Sequence, residues 1–126
     1  LAQFLEGEGG VSLPIYSVTE IMTIKYFSAY ENLQRTICSL SVGQGKLKER
    51  LANAYSYHLM IIHPEYMPEH LQHELSDIQN KLTKNHTKTV EETIRYWRKS
   101  KTLNIATDIF YLFCRMSYYY HSGGKM

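Results

Sequence analysis

Four residues of one short segment have the donor chemistry of a metal site: His70, His73, Glu74 and Asp77. Their offsets of zero, three, four and seven put imidazole and carboxylate groups on one side of a helix. Both group types are good ligands for zinc and similar divalent ions. The run His73-Glu74-Leu75-Ser76-Asp77 departs from the helical metalloprotease pattern, because aspartate stands where the second histidine belongs. This face also lies opposite the leucines of the same helix. A solvated surface is therefore expected, and metal binding is the third of three functional readings. Gly43-Gln44-Gly45-Lys46 has the ending of a phosphate-binding loop. There, however, Leu40 replaces the upstream glycine and Leu47 replaces the Ser or Thr that would hold magnesium. No cofactor is expected.

A third segment, Ile94-Arg95-Tyr96-Trp97-Arg98-Lys99-Ser100-Lys101, mixes cations with rings. Single-stranded nucleic-acid surfaces use this chemistry, with cations for phosphates and rings for bases. Seven of the 14 Lys and Arg residues fall between Lys81 and Lys101 beside only Glu91 and Glu92 as acids, although the chain nets just +2. Arg95, Arg98, Lys99 and Lys101 are the candidates for a weak RNA contact. Trp97 falls on a core stripe, where it could not stack on a base, so an ordinary solvated basic face is the main expectation.

Near the end of the chain, Arg115 and His121 are spaced Arg-x5-His. This resembles the Arg-x4–6-His motif of HEPN-type ribonucleases, small all-α domains. The resemblance covers these two residues, the fold class and the size. It implies that Arg115 would bind a phosphate and His121 would assist proton transfer, near a dimer interface. On a regular helix the two side chains point about 120° apart, so they converge only if the helix frays before His121. Met116 follows the arginine where many members of that family carry a polar residue.

Tyrosine supplies a different chemistry. The chain has 11, and Tyr111, Arg115 and Tyr118 form an i, i+4, i+7 strip with Leu112 and Tyr119 beside it. Tyr and Arg are enriched at binding hot spots because they bury large area while keeping a polar tip. The partner-binding candidates are Tyr111, Arg115, Tyr118 and Tyr119.

The elements that position these groups are helical. Leu71, Leu75, Ile78 and Leu82 recur at spacings of four, three and four on a polar background, which is one narrow apolar stripe. Ser17-Val18-Thr19-Glu20 and Thr89-Val90-Glu91-Glu92 are capping boxes. They predict helices starting at Val18 and Val90. The first is expected to run to Leu40, with Val18, Met22, Ala29, Leu33, Ile37 and Leu40 inward and Ile24, Phe27 and Cys38 on its far side. Gly43 and Gly45 turn the chain into a second helix over 46–62, whose expected inner face includes Leu47, Leu51, Ala54, Tyr55, His58 and Ile62. Pro64 stops it, and a third helix begins near Pro68. The fourth, from Val90, is expected to break over Ser100 to Asn104. A last helix follows over 103–121, with Leu103, Ala106, Ile109, Phe110, Phe113, Met116 and Tyr120 inward.

The chain therefore reads as all-α, a single-domain antiparallel bundle of four to five helices over 15–121, with no strand candidate. A flexible N-terminal arm over 1–14 and a flexible C-terminal tail over 122–126 flank it. Cys38 and Cys114 are expected as buried free thiols of a cytoplasmic protein, and no segment is apolar enough for a membrane span. The leading functional reading is a non-enzymatic protein–protein interaction module or assembly subunit, a homodimer or bound to another protein. The alternative is a HEPN-like RNA-binding or RNA-cleaving domain.

Overall fold

A computed structural model describes residues 3–6, 12–15, 17–84 and 88–123. The bundle consists of five helices: α1 (Val18–Val42), α2 (Leu47–Ala54), α3 (Glu69–Leu82), α4 (Val90–Ile94) and α5 (Lys99–His121). Ahead of them, β1 (Gln3–Glu6) pairs antiparallel with β2 (Ser12–Ile15), Gln3 opposite Ile15. That hairpin corrects the expectation of no strand. Alternation is too short to read in four-residue strands, one of which contains Pro14. Residues 124–126 of the expected tail lie outside the described residues, and Ser122 and Gly123 form a turn after α5.

Both predicted N-caps form, with the Glu20 and Glu92 carboxylates accepting from the cap hydroxyls. Ser17 Oγ accepts from the Glu20 N–H at 3.1 Å and Thr89 Oγ1 from the Glu92 N–H at 3.2 Å. α1 ends where the Gly43 N–H donates to Ser39 O, and Arg50 Nη1 donates to Leu40 O at 2.6 Å. A Cβ at Gly43 would sit 2.3 Å from that Ser39 oxygen, and Gly45 has φ +94°, so both glycines are required by the turn.

α2 widens into a π turn over Tyr55–Leu59, where the Met60 N–H reaches Tyr55 O at 2.9 Å. The wider turn keeps Leu51, Tyr55 and Leu59, each four apart, on one buried line. His58, expected inward, is therefore half-buried, and Leu59 has its place in the core. Gln79 of α3 closes the end of this turn, donating from Nε2 to Leu59 O at 3.1 Å and Ile62 O at 2.8 Å. Pro64–Tyr66 then makes one 3-10 turn before α3.

The core joins Leu33 of α1, Leu51 and Leu59 of the second segment, Leu71, Leu75 and Leu82 of α3, Ile94 of α4, and Ile109, Leu112 and Met116 of α5. The α3 stripe is buried as its spacing predicts. On α5 the inward stripe is Thr102, Ile105, Ile109, Leu112 and Met116, rotated from the expected one. Leu103 and Phe110 are exposed and Leu112 is buried, the reverse of the expectation for each. Val18 is likewise exposed, as are both free thiols, Cys38 and Cys114, which were expected to be buried. The break between α4 and α5 comes at 95–98, earlier than expected, because Ser100 falls in the first turn of α5, where such residues are tolerated. Among the described residues, no helix is long and apolar enough to cross a membrane.

Burial pushes the Tyr55 hydroxyl above its ordinary pKa, and a hydrogen bond with Thr83 only partly offsets this. A folded-state pKa raised above the unfolded value of about 10 means that stability is intact below that pH and declines as pH rises through the folded pKa. Guanidinium unfolding at pH 8 and near pH 11 should show a shallower alkaline loss in Tyr55→Phe than in the parent chain. Equal losses in the two proteins would remove Tyr55 as the cause.

Candidate functional site: the two sides of α5

The C-terminal half of α5 is held by rings from α1. Tyr26 and Tyr30, one turn apart, meet Tyr119 and Phe113, so rising numbers in α1 oppose falling numbers in α5 and the helices are antiparallel. Tyr30 stacks on Phe113 at 5.9 Å and on Tyr120 at 4.8 Å, nearly parallel to both. Phe113 and Tyr120 are two turns, about 10.5 Å, apart along the helix, which leaves a slot the thickness of one ring between them. Each such ring pair contributes about 0.5–1.5 kcal/mol beyond its buried area. The Tyr30 hydroxyl lies 3.1 Å from His121 Nε2. Burial first, then Tyr119 and the Glu69 carboxylate, raise the pKa of the Tyr26 hydroxyl.

Arg115 faces the other way. Its Nη2 pairs with Glu74 Oε2 of α3, both side chains substantially exposed, as in a surface ion pair worth little on its own. Helix α5 is continuous through His121. Arg115 and His121 therefore stay on different sides of one regular helix, the first against α3 and the second against α1.

The metal candidates are divided in the same manner. His70 packs its ring 5.3 Å from Tyr119, His73 pairs with Asp77 at 3.2 Å, and Glu74 is engaged by Arg115. Among the described residues, no three His, Cys, Asp or Glu side chains converge on a point that could hold a metal.

The basic candidates separate too. Lys101 Nζ lies 4.5 Å over the half-buried Trp97 ring, a cation–π contact. Arg98 is the residue preceding α5, without a side-chain cap bond. Arg95 and Lys99 line a cavity where α2 and α5 begin. Of its other cations, Lys46 closes the Gly43–Lys46 run, which was set aside as a phosphate-binding loop, and Lys48 and Arg50 were not singled out from the sequence. Their alternation around Leu47 and Glu49 is the signal that could have marked them.

The tyrosine strip is split by the rotation of α5. Tyr119 is half-buried against Tyr26 and His70. Tyr111 and Tyr118 are 54% and 63% exposed, and they share the outer side of α5 with Leu103 at 53% and Phe110 at 48%. Cys114, exposed, lies between them, and Phe27 of α1 extends the surface, its ring 6.1 Å from Tyr120. The positions 103, 110, 111, 114 and 118 follow helical spacing, a second stripe opposite the buried one.

No protein-family model, curated protein or solved structure matches this chain.

Proposed function

We propose that the chain is a non-enzymatic interaction module that pairs with a second copy of itself through the outer side of α5. One observation carries this reading: Leu103, Phe110, Tyr111 and Tyr118, all exposed, form a stripe on a helix whose opposite stripe is buried. An apolar row of that length on a soluble surface marks an interaction site more often than a decorative face. Its size suits a copy of the chain. Helix α5 is about 35 Å long at 1.5 Å per residue and, with α1 alongside, presents a face about 20 Å wide, or roughly 700 Å². A stable pair needs about 800 Å² from each partner.

The ribonuclease-like reading draws no support from these contacts, because Arg115 is engaged by Glu74 and His121 by Tyr30 on different sides of α5. Sedimentation equilibrium over a wide concentration range tests the proposal, with a monomer–dimer equilibrium as the expected result. Alkylation of Cys114 should slow as the dimer fills, since this thiol lies within the stripe. A chain that remains monomeric at the highest concentration rules out the self-pairing.

A further inference from the structure

A cavity of about 770 Å³ lies where α2, α4 and the start of α5 meet, and it shares no lining residue with the aromatic stripe. Its size falls within the roughly 300–1,000 Å³ of small-molecule sites. Five cations line it, Lys46, Lys48, Arg50, Arg95 and Lys99, beside two carboxylates, Glu49 and Glu91. The lining alone therefore carries more positive charge than the +2 of the whole chain. The remaining lining is half-buried Leu47, with Ala52, Ile94 and Thr102 almost enclosed beneath it, and the aliphatic stems of the cations complete a mainly apolar surface.

The cations are held at different depths. Lys48 Nζ donates to the Arg95 carbonyl at 2.8 Å, tying α2 to the end of α4. Arg50 is anchored through Nη1 on Leu40 O, yet its Nε is enclosed with no hydrogen-bond partner. Lys46, Arg95 and Lys99 make no ion pair among the described residues. Two helices also begin at this cavity without a side-chain cap, α2 after Lys46 and α5 after Arg98. Their first-turn N–H groups and the positive ends of their dipoles add to the attraction for an anion. Cations at the rim above an apolar wall fit a ligand that is itself divided, with charge at one end and a flat or apolar body at the other.

We propose that this cavity binds a phosphorylated small molecule of nucleotide size, its phosphates on Lys46, Arg95 and Lys99 and its body against Leu47, Ala52 and Ile94. A nucleic-acid strand is the competing occupant. The mainly apolar lining, which includes no aromatic ring, favours the small molecule, because a strand requires rings on which successive bases stack.

Calorimetric titration of the full chain with ADP, inorganic pyrophosphate and adenosine tests this, with a uridine decamer as a fourth probe. ADP should bind at least about tenfold more tightly than either pyrophosphate or adenosine, since only ADP uses both parts of the cavity. Lys46→Gln combined with Lys99→Gln should weaken ADP about tenfold or more, while Lys81→Gln with Lys84→Gln, the same charge change on and just after α3, should leave it unchanged. All four lysines are exposed, so both variants keep the fold, which circular dichroism checks. The proposal is overturned if ADP does not bind at millimolar concentration, if pyrophosphate binds as well as ADP, or if both lysine pairs have equal effects. Tighter binding of the decamer than of ADP, lost in the Lys46/Lys99 pair, would assign the cavity to nucleic acid instead.

Discussion

Replacing Leu75 with alanine should lower stability by about 2–5 kcal/mol, the range for removing a fully enclosed leucine and leaving a cavity. Leu75 is 0% exposed and sits mid-stripe between Leu71 and Ile78, where α3 meets the rest of the core. Regular helix on both sides limits how far the site can collapse, so the upper half of the range is expected. For a chain of this size each kcal/mol moves the thermal midpoint by about 4 °C, so a fall of roughly 14–20 °C should be seen by calorimetry. A loss below about 1 kcal/mol would mean that the stripe is not the centre of the core.

Tyr111→Ala together with Tyr118→Ala should convert the proposed dimer to a monomer. Truncating central aromatic anchors commonly removes about 2 kcal/mol or more each, so the pair should raise the dissociation constant about a thousandfold. Both rings are more than half exposed in the single chain. The monomer should therefore unfold at nearly the parent midpoint, within the roughly 0.5 kcal/mol typical of surface changes. Sedimentation separates the outcomes: an unaltered dimer removes the tyrosines from the interface. The same preparation can be assayed with RNA beside His121→Ala. RNA cleavage that survives the tyrosine pair and disappears in His121→Ala would favour the ribonuclease-like reading.

How far each helix could be read depended on whether one apolar stripe or two were written into it. On α3 nearly every residue between Leu71, Leu75, Ile78 and Leu82 is polar, so only one face can be buried, and that face is buried. α5 carries two stripes. Leu103 and Phe110 are as apolar as Ile105 and Leu112, and periodicity alone does not say which pair faces the core. Thr102 belongs to the inner stripe because its hydroxyl, donating to Arg98 O at 3.2 Å, is satisfied within its own helix and can be enclosed without penalty. His58 was misplaced because a π turn changes the phase of the helix by a residue, and no single residue type announces one. The cavity was hidden because its cations come from segments about 50 residues apart, and only the approach of α2 to α4 brings them together. His70, His73, Glu74 and Asp77 do share one helix, and His73 pairs with Asp77 as their spacing allows, but His70 and Glu74 engage Tyr119 and Arg115 of α5, which helical spacing cannot reveal.

The two bonds from Gln79 bear on the order in which the chain folds. The Ile62 carbonyl, beyond the end of the π turn, is satisfied by a side chain 17 residues later, and the Leu59 carbonyl, which accepts locally from the Ile62 N–H at 3.2 Å, takes a second bond from the same amide group. That helix end is therefore incomplete until α3 has docked, and the corner cannot mature as a local event. In native-state hydrogen exchange the amides of 55–62 and those around Gln79 should open as one cooperative unit. In Gln79→Ala the amides of 55–62 should exchange ahead of α3, turning a single late step into two.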